Sequence, residues 1–147
     1  MDESSVLFDG RSGLHVSWYF WLRVLDEVNR STRYGTPFGL LLLEAEVRPG
    51  APARTSNEAS ARVRETIRST DLGGRLASGR IGVLLPHQDL SSAERAGARI
   101  VEQITKRGPG EVSWRPRLLS YPGDGAEITN LLTTGGPNRS SSAGAGM

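Results

Sequence analysis

The chain has 147 residues, 37% hydrophobic and 23% charged, with a net charge of +2; this suffices for one domain with a real core and tails, but not for two ordinary domains. It contains no cysteine, which excludes disulfides, thiolate metal ligands and cysteine nucleophiles. The positive charge is almost entirely arginine, with Lys106 the sole lysine. So small an excess argues against a nucleic-acid face, and no apolar run approaches the roughly 20 residues of a membrane span. With an acidic, polar start (MDESS) unlike a signal peptide, a cytoplasmic protein without membrane insertion is expected.

In chain order, the turn-rich stretch Asp9 to Leu14 leads to Ser17, a suitable N-cap. Trp18, Leu22, Leu25 and Val28 then recur at helical spacing with Arg23, Asp26, Glu27 and Arg30 opposite. This predicts an amphipathic helix ending between Arg30 and Tyr34, whose aromatic start reads either as core or as a partner surface. Gly35-Thr36-Pro37 breaks the chain. Phe38 to Val47 (FGLLLLEAEV) is an apolar run passing into alternation, the pattern of a central strand. RPGAPARTS, residues 48–56, is a loop, and Ser56 or Asn57 caps a second helix running to about Arg68. Leu72 to Leu76 and Arg80 to Leu85 flank Ala77-Ser78-Gly79 as a β-hairpin.

Pro86 stops that hairpin, and Ser91 or Ser92 caps a third helix. Ala93, Ala96, Gly97, Ile100, Val101 and Ile104 mark its inner side; Glu94, Arg95, Arg99, Glu102 and Lys106 lie largely on the other. Val112 to Tyr121 is strand-like, but Pro116 demotes it to a bulged or edge strand. Ala126 to Leu132 offers one or two helical turns, and residues 133–147 are low-complexity and expected to be a disordered tail after a domain of residues 1–132. The order α-β-α-β-β-α-β predicts an α+β sandwich, helices on a mainly antiparallel sheet.

These landmarks resemble the GGDEF family, the diguanylate cyclases that condense two GTP into cyclic di-GMP. The family's D-x-L-T-G-L-x-N-R-x-x-F is similar to residues 9–20, where Asp9, Gly13, Leu14 and Phe20 match. Its R-Y-G-x-P-F-x-L-L-L-L-D-I-D is similar to Arg33-Tyr34-Gly35-Thr36-Pro37-Phe38 and the run to Glu46, and Tyr121-Pro122-Gly123-Asp124-Gly125 resembles its Y-P-x-D-G. The resemblance covers about residues 6–132 and implies a nucleotidyl cyclase-like sandwich with a ferredoxin-like core. One substantial deletion falls after the first long strand: the family's F-K-x-x-N-D and G-H-x-x-G-D segment, which holds substrate guanine, is replaced by the short 48–56 loop.

The signature turn G-G-D/E-E-F aligns with Ala77-Ser78-Gly79-Arg80-Ile81. Gly79 and Arg80 thus stand where the family keeps a magnesium-ligating carboxylate and an essential glutamate. Glu44 matches the family's other metal-binding acid, yet a hard cation needs several oxygens and an arginine repels it; taken alone, Glu44 and Glu46 read as solvated strand-end acids. The resemblance therefore implies a chain with no catalytic residues, no cofactor and no metal.

The family's inhibitory site survives as a pattern. Its R-x-x-D, placed five residues before the signature turn, matches Arg68-Ser69-Thr70-Asp71, and its further arginine on the following helix aligns with Arg99. The chemistry is sensible for guanine: an arginine fork meets O6 and N7, a carboxylate accepts from N1 and N2, and a second arginine neutralises phosphate. A bare arginine and aspartate three apart also form exposed ion pairs of a few tenths of a kcal/mol, and His15 and His87 read as ordinary loop residues. The expected function is that of an inactive domain receiving cyclic di-GMP through Arg68, Asp71 and Arg99. As the resemblance implies, the ligand binds as a stacked dimer that can bridge to a second copy or a protein effector. An interaction module that has lost nucleotide binding, presenting its Trp18 to Leu22 end, is the alternative; weak GTP binding or hydrolysis comes third.

Overall fold

A computed structural model describes residues 8–9, 13–77 and 79–135. The elements are β1 (His15–Val16), α1 (Ser17–Tyr34), β2 (Phe38–Val47), α2 (Thr55–Thr66), β3 (Leu72–Arg75), β4 (Arg80–Leu85), α3 (Leu90–Arg107), β5 (Val112–Tyr121) and α4 (Gly125–Gly135). The five strands form one sheet in the order β1-β3-β4-β2-β5. Only the β1/β3 pair is parallel.

The long apolar run of β2 has a direct cause. Leu41 and Leu43 point to one face, packing with Val63 of α2 and Ile100 and Ile104 of α3. Phe38 and Leu40 point to the other, against Phe20 and Val24 of α1 and Ile128 of α4. A strand covered on both faces reads as continuous hydrophobicity rather than alternation. Where the helices no longer cover it, β2 turns to Glu44 and Glu46, both exposed.

The β3–β4 hairpin forms as expected, and β5 is an edge strand. All ten of its residues pair with β2, Pro116 standing opposite Leu43. A proline is compatible with this place because one side of an edge strand has no ladder to serve. Helix α4 runs to Gly135, past the expected boundary at Leu132. The remainder of the expected tail, residues 136–147, lies outside the described residues.

The buried face of α1 differs from expectation. Phe20, Trp21 and Val24 are buried, whereas Trp18, Leu22 and Leu25 are 45%, 37% and 39% exposed. The helix carries two overlapping apolar stripes, and the sheet selects between them. Gly74 and Gly82 stand opposite each other on β3 and β4, and a Cβ on either would lie 2.5 or 2.6 Å from the Phe20 ring. Two missing side chains thus open a slot that Phe20 fills.

The caps also differ from expectation. Val16 precedes α1 without a side-chain cap, being drawn into pairing with Arg75 of β3. Ser56 and Asn57 lie inside α2 and accept hydrogen bonds from the Arg75 guanidinium at 3.0 and 2.7 Å, which also pairs with Asp9 at 3.3 Å. Asp89 caps α3, accepting the Ser92 N–H at 2.8 Å. The Ser91 and Ser92 hydroxyls accept from Arg95.

Candidate functional site

Two places on this frame carry convergent polar groups. The first is the signature turn between β3 and β4. Gly79 adopts φ +71°, a conformation that suits glycine; Arg80 N–H donates to Ala77 O at 2.8 Å, and Ala45 N–H donates to Gly79 O at 2.7 Å, tying the turn to β2. Ser78 lies outside the described residues. In the ladders, Glu44 of β2 stands opposite Arg80 of β4 on one side and Arg115 of β5 on the other. Directly opposed residues share a face of the sheet, so exposed Glu44 shares its face with two arginines.

Below that row lies a cavity of about 190 Å³, lined by Trp21, Leu42, Glu44, Leu76, Arg80 and Arg115 among others. Arg115 also pairs with Glu46 at 3.8 Å, and Arg117 with Glu127. These residues do not fit a magnesium site, which needs hard oxygen ligands rather than one carboxylate flanked by cations. No trio of histidine, cysteine, aspartate or glutamate is arranged to hold a metal among the described residues.

The second place is an open cleft of about 510 Å³ between the end of α2 and the start of α3, lined by Arg68, His87, Gln88, Ser92, Arg95 and Arg99. Just beyond α2 the chain closes on itself. Asp71 N–H donates to Arg68 O at 2.9 Å, and Arg68 N–H donates to Asp71 Oδ2 at 3.0 Å. Arg68 and Asp71 make no ion pair with each other; the aspartate holds the turn, and the exposed guanidinium of Arg68 is turned into the cleft.

From α3, Arg99 donates Nη1–H to Thr66 O at 3.2 Å. Its Nε and Nη2, and Asp71 Oδ1, are buried without a hydrogen-bond partner. Such groups carry a desolvation penalty of about 1–3 kcal/mol each, more when charged. Arg95, one turn earlier on the same face, donates to Ser91 Oγ at 3.0 Å and Ser92 Oγ at 3.5 Å. Arg95 and Arg99 are like charges at i,i+4, an arrangement that destabilises a helix by roughly 0.2–0.5 kcal/mol.

No carboxylate lines the cleft. Asp89, just ahead of α3, is engaged as the helix cap; the Ser92 backbone N–H and hydroxyl hold its carboxyl below the usual aspartate range, with a smaller contribution from Arg95. His87 sits in the connection from β4 at φ +57°, an unusual backbone state for a side-chain-bearing residue.

Of the three residues expected to bind ligand, Arg68 and Arg99 come together in the cleft. Asp71 is at the same turn but is 9% exposed and not among the lining residues. Sequence reasoning missed Arg95, Ser92 and His87. The first two were legible in principle, since Ser92, Arg95 and Arg99 recur at i, i+3 and i+7 on one face of α3. His87 gave no signal, because its place follows from a loop conformation. Arg75 was also missed, and its role is to tie β3 to Asp9 and the start of α2.

Searches of family models and of curated proteins give no match to the chain. Solved structures do match. The diguanylate cyclase SiaD, in complex with its activator SiaC from Pseudomonas aeruginosa, is similar at TM-score 0.74 and 20% identity; the match covers 90% of this chain but 57% of that one. The GGDEF domain of DgcB from Caulobacter crescentus, in complex with c-di-GMP, is similar at TM-score 0.74 and 13% identity, covering 99% of this chain and 92% of that one. A sensory box/GGDEF family protein from the same organism gives TM-score 0.73 and 16% identity over 88% of this chain and 92% of that one. The chain therefore has the α+β fold of GGDEF cyclase-like domains, a five-stranded sheet flanked by helices. No helix among the described residues is long and apolar enough to cross a membrane.

Proposed function

We propose that this chain is a catalytically inactive GGDEF domain that receives cyclic di-GMP at the Arg68 cleft. The observation that carries the proposal is the set of unpartnered groups, Asp71 Oδ1 with Arg99 Nε and Nη2, beside a cleft of converging guanidiniums without a carboxylate in its lining. An anionic purine nucleotide complements that set. Its phosphates offset the like charges, its O6 and N7 accept from an arginine fork, and its N1 and N2 donors suit the spare aspartate oxygen. Two similar structures that contain c-di-GMP lend support at the level of fold. Binding regulates by favouring whichever arrangement of domain and partner has the higher ligand affinity; the partner is a second copy or a protein effector.

Calorimetry with cyclic di-GMP tests the proposal. Saturable heat with the wild type, lost in Arg68→Ala and Arg99→Ala, is expected; no heat at high micromolar ligand overturns it. A second reading, a protein-interaction module that has lost its nucleotide, draws on the exposed Trp18, Leu22 and Leu25 of α1. Their i, i+4, i+7 spacing presents an apolar ridge of the kind a helical partner packs against.

A further inference from the structure

The cleft holds more positive charge than the three residues of the expected motif supply. We infer that Arg95 is a third ligand-contacting guanidinium of this site and grips the phosphate of a bound nucleotide. The inference rests on the receptor reading above and adds a residue that the motif does not contain.

Four observations converge on it. Arg95 lines the same cleft as Arg68 and Arg99. It stands one helical turn before Arg99, so both project from one face of α3. Its two terminal nitrogens are held by the hydroxyls of Ser91 and Ser92, at i−4 and i−3, which narrows the rotamers that a long side chain must give up on binding. Asp89, just ahead of α3, is occupied by the Ser92 N–H and hydroxyl as the helix cap. A fork fixed in this way presents its outer N–H groups to a tetrahedral oxyanion, and the first turn of an 18-residue helix adds a favourable field for negative charge.

This arrangement differs from a solvated helix face. A surface cation on α3 can meet an acid at i−4, as Lys106 does with Glu102 at 3.4 Å. Arg95 instead has a serine at that position and a second arginine one turn on. The pattern concentrates charge of one sign where an ordinary helix surface would alternate it. Arg95 accordingly supplies charge and reach for phosphate, while purine recognition stays with Arg68 and Asp71.

The test is a calorimetric titration of the full chain with two probes, cyclic di-GMP and inorganic pyrophosphate, on wild type, Arg95→Ala, Arg95→Lys and Arg68→Ala. Arg107→Ala, at the far end of α3, controls for the loss of one charge. Thermal melts establish that each variant is folded. Arg95→Ala is expected to weaken both probes about tenfold or more, Arg95→Lys to recover part of that loss because it keeps the charge without the fork, and Arg107→Ala to stay within about twofold. Cyclic di-GMP binding that falls in Arg68→Ala but stays within twofold in Arg95→Ala overturns the inference and leaves the receptor reading standing. Arg95-dependent pyrophosphate binding without cyclic di-GMP binding overturns the receptor reading and leaves Arg95 as an anion ligand. Binding of neither probe overturns both.

Discussion

Arg80 stands directly opposite Glu44 across the β4–β2 ladder, and Arg115 stands opposite the same carboxylate from β5. If the proposed inactivity is right, this row offers arginines rather than the oxygen ligands that a divalent cation for phosphoryl transfer needs. Incubated with GTP and Mg²⁺, the chain is expected to give neither cyclic di-GMP nor GDP above the blank, measured by chromatography of the nucleotides. Arg80→Glu places a second carboxylate beside Glu44, so Mn²⁺ should broaden the resonances of β2 and β4 more strongly in this variant. Turnover should stay absent, because Gly79 still offers no ligand. Nucleotide turnover in the wild type that persists through successive purification steps would falsify the assignment of inactivity.

Asp71 uses its two oxygens differently, and two substitutions separate them. Asp71→Asn keeps an oxygen for the Arg68 N–H but replaces the anionic acceptor proposed to meet guanine N1 and N2. A loss of about tenfold in cyclic di-GMP affinity, or ~1.4 kcal/mol, is expected with little change in melting temperature. Asp71→Ala also releases the turn, and losing the hydrogen bond from the part-buried Arg68 N–H should cost about 0.5–1.5 kcal/mol of stability. Equal affinities for the wild type and Asp71→Asn would confine Asp71 to holding the turn.

The two tryptophans of α1 show where the sequence could be read and where it could not. Both fit an amphipathic helix, and the observed Ser17–Tyr34 lies close to the expected one, which began after a Ser17 cap and ended between Arg30 and Tyr34. Which stripe faces inward did not follow, because Trp18-Leu22-Leu25 and Trp21-Val24-Val28 are equally apolar and the choice is made by glycines about 55 to 60 residues away. The cleft behaves likewise. Arg68 and Arg99 came from the family resemblance, by their match to its inhibitory-site pattern, whereas Arg95 was hidden by its outward position on α3, which is also that of any solvated charge. Trp21→Ala should therefore destabilise the fold by about 3–5 kcal/mol, and Trp18→Ala by well under 1. Chemical denaturation of the two variants decides this, and similar losses would mean that α1 is rotated from the orientation described.

Gly74 and Gly82 set that orientation, so they should be intolerant of even one methyl. A Cβ at Gly74 would lie 2.5 Å from Phe20, which is fully buried, and overpacking of a filled core costs about 1–3 kcal/mol. Gly74→Ala should fall in that range. Phe20→Ala should cost about 3–5 kcal/mol. In the double variant the methyl meets a cavity in place of a ring, so the combined loss should be smaller than the sum of the two. Strict additivity in urea unfolding would show that the slot is not what fixes α1.

The cap of α3 gives a pH dependence whose sign can be worked out. The Asp89 carboxyl is held below its ordinary value of 3.8, chiefly by the Ser92 N–H and hydroxyl. A carboxylate whose folded-state value is depressed adds stability that is fully present above its unfolded value and is lost as pH falls through the folded one. At neutral pH Asp89→Ala should therefore lower the melting temperature by about 4 °C. Below pH 3.8 the gap between wild type and variant should close as the wild-type carboxyl takes up its proton, and both should converge at lower pH. The same substitution removes the Asp89 charge that Arg95 feels, so cyclic di-GMP affinity should be maintained or rise at neutral pH while stability falls. A melting-temperature gap that stays constant from pH 7 to pH 2 would show that Asp89 contributes through something other than its charged form.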